Sequence, residues 1–400
     1  MQLPAACAGS AAAHATGQPR ISRLPLLHRD LRAAAIVAGL PPSVLSLAAG
    51  FSHRAMRRQP RVTRFRGKRM RDKLYRPRTS IAGAPLVFTP RQPHGGTHIC
   101  SGIAELVERY DAFMLDQYGV LHDGQSCYDG VQECLQRVRD AGKRSVILSN
   151  SSGRSSVQQA KLPGIGINPD LVDGVVTSGE LAHRYLGRYQ EKLGSRVLWI
   201  AWHDNQDRGL GHYFSDLEGY SLSERVEDAD FILASGVGSI FAGTPSAVST
   251  KFERDGDSVP FEQTFRLAIA RSLPMICANP DKTAIRPGGW VANLTGALAE
   301  HYKRLGGRVI YFGKPYTASF EEAYRILNEV EAGKRVCHVG DSLQHDVKGA
   351  SAVGLDAAFV VRNGVHAKDL PKALRPEHVQ QLCRKEETPM PAFILERFVW

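Results

Sequence analysis

The sequence predicts an α/β fold: a Rossmann-like parallel-sheet core interrupted by an inserted α/β domain. Three observations predict it. Short apolar runs alternate with stretches of helical spacing, the strand–helix–strand rhythm of parallel sheets. That rhythm occurs near residues 111–150 and again near 309–361, with a further α/β stretch between. Four of the runs end in polar or charged residues, and ligands of open parallel sheets sit outside the carboxyl ends of the strands.

The 400 residues carry a net charge of +11, unevenly placed. Residues 1–80 hold fourteen Arg and two Lys against Asp30 and Asp72, a net of +14, and the remaining 320 are near neutral at −3. The leader, 1–95, is rich in Ala, Arg and Ser and lacks Glu, a composition that suits a mitochondrial or plastid transit peptide. Two other readings stay open: phosphate neutralisation on nucleic acid by the Arg57–Arg78 stretch, or a true start at Met56 or Met70. No aromatic interleaving supports nucleic-acid recognition, so none is expected for the mature form. No membrane span is expected, because the best apolar stretch, Ala33–Phe51, is broken by Pro41 and Pro42. The seven cysteines show no metal-ligand spacing and read as free thiols.

Order is expected to begin near Gly102. Ile103–Tyr110 reads as a short helix, and Asp111–Asp116 as an apolar strand ending in an acid. Gly119 and Gly124 mark a turn region. Asp129–Ala141 has helical spacing (Val131, Leu135, Val138) and stops at Gly142. Ser145–Leu148 is a second buried strand, ending at Ser149 and Asn150. The middle stretch contributes strands at Val197–Ala201, Asp230–Ala234 and Met275–Ala278, with a helix at Pro260–Ser272. Val309–Phe312, a helix over Phe320–Val330, Val336–Val339 and Asp356–Val361 complete the pattern. The expected organisation is a core from 96–169 and 289–385, an inserted α/β domain from 170–288, and a C-terminal tail from 386–400.

The polar strand ends are Asp116, Ser149 with Asn150, Lys314, and Asp341 with Asp346 five residues on. Each suits phosphoryl transfer. A carboxylate is a competent nucleophile toward phosphorus once its charge is offset. Further carboxylates hold Mg²⁺, a hard cation that prefers oxygen. A lysine adds fixed positive charge, and a hydroxyl adds a hydrogen bond to a phosphoryl oxygen.

In this order the residues resemble the haloacid dehalogenase superfamily, whose pattern hhhhD…(S/T)…K…GDxxxD is matched by FMLD ending at Asp116, ILSN at Ser149 and Asn150, GKP at Lys314, and VGDSLQHD from Asp341 to Asp346. GVLHDG (119–124), VVTSGEL (175–181) and ANPD (278–281) resemble the subfamily (IIA-like) with a large α/β cap between the second and third motifs. The likeness covers roughly residues 103–365. It implies a phosphatase acting on a small phosphorylated metabolite. Asp116 would attack phosphorus and become an aspartyl phosphate. Asp341, with Asp116 and the backbone carbonyl of Tyr118, would bind Mg²⁺, with Asp346 supporting the metal. Ser149 and Lys314 would hold the phosphoryl group, Asn150 would help orient that loop or bind substrate, and Asn279 and Asp281 would face the leaving group.

One departure stands out. The family follows the nucleophile with Asp-x-Asp-Gly, and this chain reads Asp116-Gln117-Tyr118-Gly119. Tyr118 replaces the usual acid–base carboxylate, and a phenol titrating near 10 matches that task poorly. Three explanations are open: a substrate with a good leaving group, a surrogate among His122, Asp123 and His345, or phosphate-ligand binding with little turnover. Sequence leaves the substrate, and the choice between monomer and homodimer, undecided.

Overall fold

The computed structural model describes residues 96–203, 213–214, 216–286, 288–330 and 335–400. The leader and its basic stretch lie outside the described residues.

Seven parallel strands form the first sheet. Their spatial order is His98–Cys100, Phe393–Leu395, Asp356–Val360, Val336–Gly340, Ala112–Leu115, Arg144–Ser149 and Val175–Thr177. Successive side chains of a strand point to opposite faces, and the two halves of the core follow from that. Ala112, Met114, Val146, Leu148 and Phe359 pack on one face. Phe113, Leu115, Ile147, Val339 and Val360 pack on the other. Both faces are covered, which explains why the strands read as continuous apolar runs. The helix Val131–Asp140 covers one face with Val131, Cys134, Leu135 and Val138, a single stripe at 3.6-residue spacing. The helix Thr317–Glu329 covers the other with Phe320, Ala323 and Leu327.

A second sheet runs in the order Arg308–Tyr311, Pro274–Cys277, Phe231–Ala234, Arg196–Ala201, Ser239–Ile240 and Val248–Ser249, with Ser221–Leu222 beside the start of Arg196–Ala201. Its first four strands are parallel and its last two joins antiparallel. A hairpin of Thr283–Ile285 and Val291–Asn293 stands apart from it.

Several expected boundaries move. Val175–Thr177 pairs with Arg144–Ser149, so the first sheet extends past residue 170. Arg308–Tyr311 pairs with Pro274–Cys277, so the second sheet extends past residue 288 and the chain returns only at Phe312 and Gly313. Nothing in an apolar tetrapeptide states which sheet will take it, because both sheets bury such strands. The expected tail at 386–400 is a strand of the first sheet: Phe393, Ile394, Leu395 and Phe398 are buried, and Val399 O accepts from Ile103 N at 2.8 Å. Its three-residue length hid it. Order likewise starts before Gly102, because His98–Cys100 is held along its length by that same strand.

The longest helix among the described residues, Ser178–Leu193, was not expected, although its signal is legible. Thr177-Ser178-Gly179-Glu180 is the start pattern of a capped helix, and the Thr177 hydroxyl accepts from Glu180 N at 3.0 Å. The helix Thr295–Arg304 was also missed. The six described cysteines are free thiols. Among the described residues no helix is long and apolar enough to cross a membrane.

Candidate active site

Because all strands of the first sheet are parallel, their carboxyl ends share one edge. Asp116 follows Ala112–Leu115, Ser149 ends its strand, and Asp341 follows Val336–Gly340. The central pair is fixed in register, since Asp116 N donates to Val339 O at 2.8 Å. One ligand oxygen each from Asp116, Asp341 and Asp346 lie within 4.8 Å of one another, and all three residues are buried.

Lys314 reaches this group from the returning chain. Its Nζ lies 2.6 Å from Asp116 Oδ1 and 2.7 Å from Asp346 Oδ1. Burial opposes its charge, but Asp116 and Asp346 outweigh that and hold the ammonium above its usual range. Asp346 is the best satisfied carboxylate. Its Oδ1 also meets His338 Nε2 at 2.7 Å, and its Oδ2 accepts from Ser342 N at 3.0 Å. Burial works against its ionisation, yet Lys314 and His338 keep its carboxyl well below the usual range.

The other two acids are pushed the other way. Burial, with the charge of Asp346 added, raises Asp116 to about 7 against the pull of Lys314. Burial and the charge of Asp116 push Asp341 well above its usual range. Ionised together, the three carboxylates against one ammonium would carry two negative charges in excess, a state that burial opposes and that a divalent cation would match. The donors are all oxygen, which suits a hard ion such as Mg²⁺. Asp341 Oδ2 also accepts from Val365 N at 2.8 Å. Glycine at 119 is required here: φ is +78°, and a β-carbon would lie 2.2 Å from Asp341 Oδ2.

Ser149 is buried, and its hydroxyl oxygen accepts from Ser151 N at 3.2 Å, which leaves its proton to donate. Asn150 is spent on tying loops together. Its Oδ1 accepts from Lys314 N at 2.7 Å and from Ser178 Oγ at 3.3 Å, and its Nδ2 donates to Lys314 O and Asp281 Oδ1. It thereby joins the Ser149 loop, both connections to the second sheet, and the loop carrying Asp281. Asn279 Oδ1 accepts from Asp281 N at 2.8 Å, closing an Asx turn that presents Asp281. Asp281 Oδ1 faces both Asn150 and His345 Nδ1, the latter at 3.2 Å.

Tyr118 is 42% exposed, while every other residue from Ala112 to His122 is buried. Its ring stands edge-on to His122 with centroids 4.7 Å apart. Of the three surrogate acids, His122 is buried, accepts from Gly124 N through Nδ1 at 2.9 Å, and is pushed down to about 4 by burial. Asp123 accepts from the amides of Gln125 and Ser126, the Ser126 bond being the main cause that holds its carboxyl below the usual range. His345 is committed to Asp281 and Ser342 through Nδ1.

Arg154 went unnoticed in the sequence. It follows the Ser149–Asn150 loop and donates to Glu180 at 2.7 Å and, through both terminal nitrogens, to Asp216 at 2.9 and 3.2 Å. His183 Nε2 meets the same Asp216 at 2.8 Å. The loop is thus bound to the first turns of the helix Ser178–Leu193. An arginine one turn from a Ser-Asn strand end, with a capping-box glutamate downstream, was the available signal.

Two stretches of the chain match family models. Residues 113–208 match a model described as haloacid dehalogenase-like hydrolase, and residues 311–383 match a second, HAD-hydrolase-like model. A 4-nitrophenylphosphatase of Schizosaccharomyces pombe is 24% identical over 300 residues, 71% of this chain and 96% of that protein. Phosphoglycolate phosphatase 2 of Arabidopsis thaliana is 32% identical over 87 residues, 22% of this chain and 29% of that protein. A haloacid dehalogenase-like hydrolase from Brucella suis 1330 superposes with a TM-score of 0.60 at 25% identity, covering 75% of this chain and all of the other. A possible sugar phosphatase from Cytophaga hutchinsonii shares the fold with a TM-score of 0.58 at 21% identity, covering 76% and 99%. By its motifs, their placement on one sheet edge and these likenesses, the chain belongs to the haloacid dehalogenase-like hydrolase superfamily.

Proposed function

We propose that this chain is a Mg²⁺-dependent phosphatase that hydrolyses a small phosphorylated metabolite through a phosphorylated Asp116. The convergence of Asp116, Asp341 and Lys314 carries the reading. Relatives named as phosphatases support it.

Asp116 and Asp341, with the carbonyl of Tyr118, would hold the cation, and Asp346 would back them. When bound, Mg²⁺ supplies positive charge that lets an anionic attacker approach an anionic phosphoryl group. The remaining work belongs to the chain. Lys314, pinned between Asp116 and Asp346, offers fixed positive charge to the phosphoryl oxygens. Ser149 donates its hydroxyl proton to one of them. Asn150, which follows Ser149 in the chain, fixes the spacing between the serine and lysine loops, since it accepts from Lys314 N and donates to Lys314 O. Asp116 attacks phosphorus, the bond to the leaving group breaks, and water then displaces the phosphoryl group from Asp116. The second sheet presents Asp281 toward the same edge, where it would select the leaving group.

A second reading rests on Tyr118: the pocket binds phosphorylated ligands with little turnover. A phosphate-release panel of metabolite phosphates with and without Mg²⁺ separates the two. The enzymatic reading expects Mg²⁺-dependent release that Asp116→Asn removes; Asp116→Asn hydrolysing as well as wild type would overturn it.

A further inference from the structure

This inference rests on the phosphatase reading and concerns what holds Lys314 against Asp116. His338 is fully buried between Cys337 and Val339 in the strand Val336–Gly340. A strand buried on both faces suits aliphatic side chains, and a buried imidazole is unfavourable unless its polar atoms are bonded. The ring spends its bonding on one group. Nε2 lies 2.7 Å from Asp346 Oδ1, and among the described residues no other side chain bonds it. Phe320 covers the ring edge-on, with centroids 5.1 Å apart. An ionised carboxylate only accepts, so the ring proton sits on Nε2.

The same face of the strand makes room for the acid. Side chains two apart share a face, and two residues past His338 is Gly340, where a β-carbon would stand 2.1 Å from Asp346 Cγ. Asp346 therefore lies in a slot opened by the glycine and closed by the histidine. Three donors hold it there: His338 Nε2 and Lys314 Nζ on Oδ1, and Ser342 N on Oδ2. Lys314 is in turn divided between Asp346 at 2.7 Å and Asp116 at 2.6 Å. A line of contacts thus runs from the strand interior at His338 through Asp346 and Lys314 to the attacking acid. We propose that His338 is a positioning residue: by holding Asp346 Oδ1 it fixes the Lys314 ammonium within reach of Asp116 and of the phosphoryl group. Without the ring, Lys314 is the one side-chain donor left on Oδ1. The carboxylate then turns toward the lysine and draws the ammonium away from Asp116.

His338→Gln and His338→Met separate this role from simple packing. Both new side chains are unbranched and of similar length, but only the glutamine can place an N–H where Nε2 stands. With 4-nitrophenyl phosphate and Mg²⁺, kcat/KM should fall about 10–100-fold in His338→Met, the range for losing a group that orients a metal-site carboxylate. His338→Gln should recover most of that loss. A second readout needs neither metal nor turnover. Metal-free protein is treated briefly with acetic anhydride, and acetylation of Lys314 is followed by peptide mass spectrometry. The lysine should be protected in wild type and in His338→Gln, and more reactive in His338→Met. If His338→Met does not fold, His338→Asn takes its place, because its shorter amide cannot reach Asp346. Unchanged kcat/KM in the donor-free variant, an equal loss in His338→Gln, or Lys314 equally protected throughout would overturn the inference while leaving the phosphatase reading intact. Failure of wild type to release phosphate from any ester would overturn the phosphatase reading, and the protection of Lys314 would then decide whether His338 positions it.

Discussion

Replacing Lys314 by methionine removes one charge and keeps the stem. The side chain is 2% exposed, and its ammonium lies 2.6 and 2.7 Å from two buried carboxylates. Breaking a buried pair by deleting one partner costs about 3–5 kcal/mol, because the remaining charge is left uncompensated. At about 2.1 cal/mol/K of unfolding entropy per residue over roughly 300 described residues, each kcal/mol corresponds to about 1.6 °C in Tm, so the variant should melt about 5–8 °C below wild type. Part of that loss has an outlet. Burial already raises Asp116 against the pull of Lys314, and without the lysine it is raised further, which favours its neutral form. The phosphoryl oxygens also lose a fixed positive charge, so activity should fall by at least about 10²-fold, as for loss of a preorganised charge in an active site. Scanning calorimetry with and without Mg²⁺, with phosphate release alongside, measures both effects. Added Mg²⁺ should restore part of the variant's lost stability, since a cation at concentration c bound only by the folded state stabilises it by RT ln(1 + c/Kd) and the variant's acids no longer face an ammonium. A variant that melts within 2 °C of wild type at ~pH 7 would show that the buried triad does not carry the assigned charges.

Other outcomes follow from single positions. Gly119→Ala should abolish Mg²⁺-dependent turnover, since its β-carbon would lie 2.2 Å from Asp341 Oδ2 at a φ of +78°; titration calorimetry with Mg²⁺ should show binding lost as well. Arg154→Gln should destabilise by about 1–3 kcal/mol at neutral pH, the range for hydrogen bonds to charged groups. Burial tends to raise Glu180, but Arg154 outweighs it and leaves the carboxyl below its ordinary 4.5. That stabilisation is therefore present above pH 4.5 and lost as the pH falls below it. The gap between wild type and variant in urea unfolding should narrow in acid. Truncation after Met390 removes the buried Phe393, Ile394, Leu395 and Phe398. At about 1.5–3 kcal/mol per buried side chain the loss rivals a typical total stability, so the product should be insoluble or unfolded by circular dichroism.

The parts of the fold legible in the sequence were those where burial and chemistry leave local marks. Ala112–Leu115 and Val336–Gly340 are buried on both faces, so they read as apolar runs, and the acid after each marks the sheet edge. Strand pairing left no such mark. Val309 and Val336 look alike in sequence, yet they lie in different sheets, because partner choice depends on long-range register. Phe393–Leu395 is three residues long and follows two prolines, so its strand character rests on neighbours more than 30 residues away. The site was readable as a set of roles at strand ends. What sequence could not show is how Asn150 and Arg154 spend their hydrogen bonds. Asn150 joins Lys314, Ser178 and Asp281, and Arg154 joins Glu180 and Asp216, and all of these partners are remote in the chain.

The covalent step is the most direct test of the account. Wild-type protein mixed with a phosphate-labelled aryl ester and Mg²⁺, quenched in acid within one turnover and digested, should yield label on the peptide containing Asp116, and Asp116→Asn should yield none. Label on another residue, or turnover by Asp116→Asn within tenfold of wild type, would contradict it.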